Sequence, residues 1–323
     1  MPASRWLALG GGLLVAAIAA LAVGTIHVGF VDVGRALIGD GDPTAVFVIR
    51  ELRFPRVVLA ALVGAGLGLS GAALQGVLRN PLAEPYLLGV SGGAAVGAVT
   101  AVTLGLAAAL VPILAFGGAV IAVVVALSVA RATHSRGDAR ILVMAGVIVG
   151  AFANAAIMIL LAGADSSTVR GALWWMMGSV ANATWTQSGW LALYLAVGGA
   201  FLIANGRTLD ALALGEDSAA GLGVDVDRAA RRIYLGASLV AAATVAAAGL
   251  IGFVGLVVPH IARRLGAQGH RTLLLASGLT GAGLVVLADI VARNARPPAD
   301  LPLGAVTAVL GVPFFLITLR RMT

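Results

Sequence analysis

The sequence predicts an all-α protein that crosses a membrane about ten times. Only 11% of its 323 residues are charged and 60% are hydrophobic, whereas a soluble domain carries about 25% charged residues. The mean hydropathy is +1.03, and apolar runs alternate with short polar turns along the chain. These observations exclude a water-soluble protein, and they predict a single membrane domain over residues 1–323.

Ten apolar segments are the candidate spans, because about 20 apolar residues in a helix cross a bilayer. They are residues 7–24, 57–78, 86–103, 107–130, 141–163, 189–204, 233–250, 255–265, 273–291 and 303–319. The first allows two interpretations, a retained span or a removed signal peptide, since Ala20-Leu21-Ala22 resembles a cleavage site. Residues 25–52 are predicted to form a loop of mixed charge. The eighth segment is short, and Pro259 would kink or break its helix.

The basic residues predict how the spans are oriented. The chain has no lysine, so all 21 basic residues are arginines. With the N-terminus in the cytoplasm, fourteen arginines fall on the cytoplasmic side and seven on the outer side, as the positive-inside rule requires. An even number of spans then places both termini in the cytoplasm. The same rule accounts for the net charge of +7, so nucleic acid is not predicted as a partner.

Composition also excludes several kinds of chemistry. The chain has no cysteine, which excludes disulfides, zinc–thiolate sites and thiol nucleophiles. Without lysine it cannot carry a Walker A loop, whose lysine binds the nucleotide phosphates. We therefore predict no catalytic and no metal-ligating residue, and any ATP would be hydrolysed on a separate chain. His260 is interpreted as a structural hydrogen-bonding residue, with a metal or haem ligand as the alternative.

Residues 53–97 carry three motifs in a fixed order. Two arginines flank Phe54-Pro55 before the second span, and Ser70-Gly71 and Gln75 interrupt the apolar run of that span. A polar turn follows, with the sequence Asn80-Pro81-Leu82-Ala83-Glu84-Pro85. This combination resembles the signature region of the membrane-spanning subunit of ABC importers for iron chelates (siderophores), haem and cobalamin, the type II importer permeases. The resemblance extends over nearly all of residues 53–321.

The resemblance implies a homodimer of ten-span subunits in a bacterial inner membrane. Two cytoplasmic ATP-binding subunits would hold ATP and magnesium, so this chain would bind no cofactor of its own. A periplasmic substrate-binding protein would deliver the ligand, which would cross by alternating access. The sequence leaves open whether that ligand is an iron siderophore, haem or cobalamin. A secondary, ion-driven transporter without an ATPase partner is the alternative, although no ladder of ionisable residues crosses the spans.

The first candidate site is a set of arginines at the outer ends of spans. In the family, positions matching Arg53, Arg56 and Arg293 contact acidic residues of the binding protein. Arginine suits that contact because its planar guanidinium binds carboxylates in a bidentate manner. The alternatives are that these side chains anchor spans at the lipid headgroups, and that Arg293 pairs with Asp289 four residues earlier.

The second candidate site is the cytoplasmic loop 210–227. Its polar residues predict two short helices, with Asp217 or Ser218 as an N-cap and Asp227 capping the next span. Apolar side chains would then face a partner: Leu212, Leu214, Leu222 and Val224. By resemblance, the loop forms the coupling helices that sit in a groove of the ATPase subunit, through Glu216, Ala219, Ala220, Leu222, Gly223 and Val224. An amphipathic loop lying on the headgroups is the alternative.

The third candidate site is the translocation path. In the family it follows the axis of the dimer and is lined mainly by the fifth and tenth spans. The resemblance therefore assigns the path to Met144, Asn154 and Met158 of the fifth span, and to Thr307 and Phe314 of the tenth.

Overall fold

The computed structural model describes residues 1–24, 26–132 and 139–320, and the regular structure in those ranges is helical throughout. The α-helices, in chain order, are α1 (Ala3–Ala22), α2 (Phe30–Ile38), α3 (Pro43–Phe47), α4 (Phe54–Val77), α5 (Val90–Thr103), α6 (Leu110–Ala132), α7 (Ala139–Ala162), α8 (Ser166–Met176), α9 (Trp185–Ala204), α10 (Gly206–Ala213), α11 (Glu216–Gly221), α12 (Val226–Ala248), α13 (Val254–Arg264), α14 (His270–Asn294) and α15 (Leu303–Arg320). A π-helical segment, Val48–Arg53, joins α3 to α4, and a 3-10 turn, Pro85–Leu88, precedes α5.

Each of the ten predicted spans coincides with a helix, namely α1, α4, α5, α6, α7, α9, α12, α13, α14 or α15. Among the residues that the structure describes, six helical stretches are long and apolar enough to cross a membrane: Ala3–Ala22, Pro43–Val77, Leu110–Ala130, Ile141–Ala162, Trp185–Ala204 and His270–Asn294. Helices α5 and α13 are short, with 14 and 11 residues, and α12 begins with a charged turn. The prediction of a loop over residues 25–52 is wrong, because α2, α3 and the π-helical segment occupy most of it.

Helix α4 lies at the centre of the bundle, where α9, α12, α13 and α14 pack around it. Seventeen of its 24 residues are buried, which a helix surrounded by other helices requires. Small residues allow the close contacts: the backbone of Gly281 lies against Gly64, and the backbone of Gly255 lies against Gly71. Lipid provides no hydrophobic drive for helix association, so such close packing has to hold the bundle together.

The two ends of the bundle differ in their polar contacts. We call the end where α4 begins and α1 and α14 end the upper end. We call the end where α4 ends and α10 and α11 lie the lower end.

The loop before α8 is fixed by Asp165, which accepts hydrogen bonds from the Ser167 hydroxyl at 2.7 Å and the Thr168 N–H at 2.8 Å. These bonds, with one from the Thr168 hydroxyl, lower the pKa of Asp165 to about 2.

Candidate functional site

At the upper end, Arg56 binds two carboxylates from two other parts of the chain. Its Nε donates to both oxygens of Asp289 at 3.0 and 3.1 Å, and its Nη2 donates to Oδ1 at 2.8 Å. Its Nη1 forms an ion pair with Asp300 at 2.8 Å. The Arg56 side chain is only 13% exposed, so these charge-assisted bonds are largely shielded from water. Arg56 thereby fixes α14 and the segment before α15 to the first turn of α4.

Arg53 bonds to the end of α1 instead of to a carboxylate. Its Nη1 donates to the carbonyls of Leu21 at 2.6 Å and Ala22 at 3.1 Å, and its Nη2 donates to the carbonyl of Ile26. The last carbonyls of a helix have no intrahelical donor and carry the negative end of its dipole. A buried arginine at this point therefore stabilises the end of α1.

Arg293 has the same role from the side of α14. Its Nη2 donates to the carbonyl of Ala20, and its Nε lies 3.8 Å from a carboxylate oxygen of Asp289. The predicted pairing of Arg293 with Asp289 is therefore present as a long ion pair, while the short bonds of Asp289 go to Arg56. Helix α1 is thus held to the bundle by two arginines, and its retention as a span stays a prediction.

The three predicted docking arginines are thus engaged inside the chain. Arg53 and Arg293 are 6% and 7% exposed, so their contact with a partner remains a prediction. The sequence analysis did not assign a role to Arg50 and Arg296, which are exposed at the same end. Arg50 also lines a depression of about 410 Å³ formed by the connection after α2, by α3 and by the π-helical segment. Nothing in the sequence distinguishes Arg50 and Arg296 from the other arginines, because the exposure of a side chain depends on how the helices pack.

At the lower end, loop 210–227 forms the predicted pair of short helices, α10 and α11. Helix α11 ends in a Schellman motif: the Val224 N–H donates to the Ala219 carbonyl at 3.1 Å and the Gly223 N–H donates to the Ala220 carbonyl at 2.9 Å. Gly223 adopts the left-handed conformation with φ of +80°, which a glycine accepts without steric cost. The sequence Leu222-Gly223-Val224 therefore has a local structural role, which is to end α11.

Several details of the predicted loop are wrong. Helix α11 begins at Glu216 after Gly215, so Asp217 and Ser218 lie in its first turn and do not cap it. Asp225, and not Asp227, caps α12, since its carboxylate accepts from the Arg228 N–H at 3.1 Å. Capping depends on which residue leaves the helical conformation, and several neighbouring acidic or hydroxyl residues fit the same pattern.

The predicted coupling residues differ in exposure. Ala219 is buried and Val224 is partly buried, whereas Glu216, Ala220, Leu222 and Gly223 are exposed. Leu214 and Leu222 are 67% and 65% exposed, but Leu212 is 5% exposed. The prediction that Leu212 faces a partner is therefore wrong, because that side chain belongs to the core. Leu214 and Leu222 therefore present apolar side chains at the lower end.

Glu216 also makes a contact that the sequence did not predict. Its Oε1 accepts a hydrogen bond from Nη2 of Arg79 at 2.5 Å, and both side chains are partly exposed. Arg79 closes α4 in the left-handed conformation, with φ of 48°. The contact joins α11 to the turn after α4, 137 residues earlier in the chain.

The polar turn after α4 reaches from the lower end into the bundle. Asn80 shapes the turn, because its side chain accepts from the Leu82 N–H at 2.9 Å. Glu84 accepts from the Phe253 N–H at 2.7 Å, and the Tyr86 hydroxyl accepts from the Ile251 N–H at 2.8 Å. These groups satisfy backbone donors in the short connection between α12 and α13, where no helix ladder can do so.

The Ser-Gly-x-x-x-Gln motif of α4 also contacts α12 and α13. The Ser70 hydroxyl donates to the carbonyl of Ala237 in α12 at 2.7 Å. Gly71 lies against α13, and Gln75 donates to the carbonyls of Gly255 at 3.4 Å and Leu256 at 3.2 Å. The motif therefore fixes α12 and α13 to α4.

The predicted path residues fall into two groups. Met144, Asn154 and Met158 of α7 are exposed on the surface of the bundle. Thr307 of α15 is buried in its own subunit, where its hydroxyl donates to the Gly304 carbonyl at 3.0 Å. Phe314 is partly buried, and the Arg264 guanidinium lies 5.8 Å from its ring centroid. The assignment of these five residues to a path remains a prediction.

Within the described residues, no group of three histidine or acidic side chains is placed to hold a metal ion. His260 is partly buried and its Nδ1 has no hydrogen-bond partner there. The interpretation of His260 as a hydrogen-bonding residue is therefore wrong for that nitrogen.

Known proteins similar to this chain are membrane permeases. Residues 12–321 match the FecCD transport family. The chain is 39% identical over 322 residues to an uncharacterized ABC transporter permease protein, YvrB, of Bacillus subtilis, covering 96% of this chain and 91% of that protein. It is 43% identical over 278 residues to the cobalamin import system permease protein BtuC of Halobacterium salinarum, covering 86% of this chain and 74% of that protein. A solved structure of a metal-chelate type ABC transporter in an inward-facing conformation is similar over 98% of both chains, with 30% identity and a TM-score of 0.85.

Proposed function

Because the chain belongs to the FecCD transport family, a family of ABC importer permeases, we propose that it is the transmembrane subunit of an ATP-driven importer. It would accept a metal chelate or a cobalamin-like cofactor from a substrate-binding protein and release it into the cytoplasm by alternating access. ATP would be hydrolysed on separate ATP-binding subunits, since the chain has no lysine for a Walker A loop.

The observation that carries this proposal is the pair of short helices α10 and α11 at the lower end. They lie outside the spans and carry two exposed leucines, Leu214 and Leu222. Large apolar side chains left exposed on a polar segment are candidates for burial by a partner. A groove on an ATP-binding subunit would cover both leucines and would contact Glu216 and Ala220 beside them.

Cobalamin is the first ligand to test. One relative with a named cargo is a cobalamin import permease, 43% identical to this chain, and one similar solved structure is of a metal-chelate type transporter. Haem and ferric siderophores are therefore the other members of the panel. The path would be lined by apolar and weakly polar side chains of α7 and α15, which bind a bulky ligand too weakly to trap it.

A second copy of the chain would complete that path. The exposed face of α7 carries Met144, Asn154 and Met158, and a polar amide in a span normally faces protein or water instead of lipid. Pairing two subunits would enclose this face, with Thr307 and Phe314 of α15 nearby. We propose a homodimer with two ATP-binding subunits and one substrate-binding protein.

The upper end would face the periplasm and the lower end the cytoplasm, with both termini cytoplasmic in a bacterial inner membrane. The excess of arginines on the proposed cytoplasmic side supports this orientation. The substrate-binding protein would then dock over Arg53, Arg56 and Arg293. Arg56 is the best placed of the three, because its partner Asp300 is itself 33% exposed and could give way to a carboxylate of the docking protein.

The proposal is tested in proteoliposomes that contain the permease with its ATP-binding subunit and substrate-binding protein. We expect uptake of cobalamin, haem or a ferric siderophore that requires ATP, and none with an ATP-binding subunit that cannot hydrolyse ATP. Uptake by the permease alone, driven by a proton or sodium gradient, would contradict the proposal and support a secondary transporter.

A further inference from the structure

The turn formed by residues 79–86 contacts both α11 and the start of α13, and no other described segment bonds to both by side chains. We propose that this turn transmits the movement of α11 to α13 and from there to α15, with Arg79 and Glu84 as positioning residues. This inference rests on the proposed function, because α11 moves only if an ATP-binding subunit acts on it.

The first link is the ion pair between Arg79 and Glu216. Its N–O distance is 2.5 Å, and the two side chains are 41% and 49% exposed. The Arg79 backbone is fixed by the end of α4, since the next N–H, that of Asn80, donates to the Gln75 carbonyl at 3.2 Å. A displacement of α11 therefore exerts a force on Arg79, whose backbone is fixed to the end of α4.

The second link is formed by Glu84 and Tyr86. Both accept hydrogen bonds from N–H groups of the connection between α12 and α13, at Phe253 and Ile251. Pro85 between them packs on Gly255, where an added Cβ would lie 2.9 Å from its Cδ. The turn thus holds the N-terminal end of α13 through two polar bonds and one close contact.

The third link joins α13 to α15. The side chain of Phe253 lies against Gly311, where a Cβ would overlap with it. At the other end of α13, Arg264 lies over the ring of Phe314 at 5.8 Å, a geometry in which a cation is attracted to the ring face. Both ends of the short helix α13 therefore contact the helix to which the path is assigned.

Backbone conformation singles out the same segments. In the described part of the chain, the non-glycine residues with positive φ are Arg79, at 48°, and Phe253, at 67°. Such a conformation is unfavourable for a residue with a Cβ, and it persists where the surroundings determine it strongly. Arg79 belongs to the first link, and Phe253 belongs to both the second and the third.

The natural chain has no cysteine, so a single cysteine can report on α15. Leu316→Cys is suitable, because Leu316 is exposed on that helix. The measurement is the rate of labelling of this cysteine by a water-soluble maleimide in the assembled permease–ATPase complex, with and without ATP. No transported ligand is needed, and co-purification of the ATP-binding subunit shows that each variant is assembled.

We expect ATP to change the labelling rate in the otherwise unchanged chain. Arg79→Glu should reduce that change by about fivefold or more, the range of a typical coupling energy, and Arg79→Glu/Glu216→Arg should restore it. Arg207→Glu is the matched control, because Arg207 is exposed at the same end and makes no ion pair with the described residues. Glu84→Ala should also lose the response, whereas Glu84→Gln should keep it, since its amide oxygen can still accept from Phe253.

Three results would overturn the inference while leaving the proposed function intact. One is an ATP response that is unchanged in Arg79→Glu and Glu84→Ala in complexes that still hydrolyse ATP. Another is a double charge swap that fails to restore the response in a complex that still binds the ATP-binding subunit and hydrolyses ATP. The third is a reporter that does not respond to ATP in the otherwise unchanged chain, in a complex that hydrolyses ATP. If Glu84→Ala does not fold, Tyr86→Phe removes only the hydroxyl that bonds to Ile251 and should lower the response. A chain that binds no ATP-binding subunit would instead refute the proposed function itself.

Discussion

Gln75 illustrates how a single side chain stabilises a helix that continues through a proline, as α13 does at Pro259. Pro259 has no N–H, so the carbonyl of Gly255, four residues earlier in α13, lacks its usual donor. Gln75 supplies a donor from α4, and its own oxygen accepts from Arg263 at 2.8 Å. Since an unsatisfied backbone group is costly away from water, a buried glutamine at this position has a clear physical role.

Replacing Gln75 by leucine should therefore destabilise the protein by about 1–3 kcal/mol, the cost of a buried polar group without a partner. The loss has two sources, because both the carbonyls of α13 and the guanidinium of Arg263 lose their bonds to the side chain. Thermal unfolding in detergent, followed by the loss of the monodisperse peak, measures it. Gln268→Leu is the control, since Gln268 is exposed. Equal stability of the two variants would contradict the role given to Gln75.

Arg79 allows backbone strain to be separated from the ion pair. Arg79→Gly and Arg79→Ala both remove the bond to Glu216, but only glycine adopts the left-handed conformation freely. The glycine variant should be more stable than the alanine variant by about 1 kcal/mol, measured by thermal unfolding. Neither variant should keep the proposed ATP response of α15. A glycine variant no more stable than the alanine variant would show that this residue is not strained.

At the scale of elements, the packing of α4 depends on glycines that face neighbouring backbones. An added Cβ at Gly71 would overlap with the backbone of Gly255 in α13, and one at Gly64 would overlap with that of Gly281 in α14. A backbone atom cannot swing aside as a flexible side chain can. These contacts therefore fix how closely the helices approach.

Gly71→Ala should destabilise the bundle by at least about 1–3 kcal/mol, the usual cost of overpacking, even though alanine favours a helix. The yield of folded protein and its thermal unfolding in detergent measure the effect. Gly117→Ala is the matched control: Gly117 lies within α6, and a Cβ there would meet no atom within 4 Å. If both substitutions are tolerated equally, the close contact of α4 with α13 does not limit stability.

The elements were predictable to different degrees for physical reasons. Long apolar runs predicted the helices of the spans, because hydrophobicity is a property of the run itself. The helices over residues 30–47 carry mixed charge and were predicted to be a loop, since their stability depends on packing that the sequence does not display. The pair α10 and α11 was predicted, but its caps were not, because Asp217, Asp225 and Asp227 offer similar side chains.

The candidate site could also be predicted only in part. The motifs of residues 53–97 identified the important region, but not the partners of its side chains. Arg56 meets Asp289 from 233 residues away, and Glu84 meets Phe253 from 169 residues away. A sequence shows that a charged residue lies at the end of a span, whereas its acceptor depends on how the helices are arranged.

At the scale of the whole molecule, polar contacts divide between the two ends of the bundle. The upper end holds buried arginines that join α1, α4 and α14, while the lower end holds the exposed surface of α10 and α11. Docking and coupling would therefore act on opposite ends of α4. Movement at one end can reach the other because this helix is packed along most of its length.

The docking proposal is tested at the upper end, where Arg56 and Arg50 differ in environment. Arg56→Gln should weaken binding of the substrate-binding protein by about tenfold or more, because it removes the charge that a carboxylate of the docking protein would share in place of Asp300. Arg50→Gln removes an exposed charge at the same end and should change the affinity by only about threefold or less, as exposed ion pairs contribute little. Binding is measured on permease in nanodiscs at two salt concentrations, and only on variants that remain folded. If Arg50→Gln weakens docking and Arg56→Gln does not, the binding protein contacts the exposed rim, and the buried arginines serve only to hold α1 and α14 to α4.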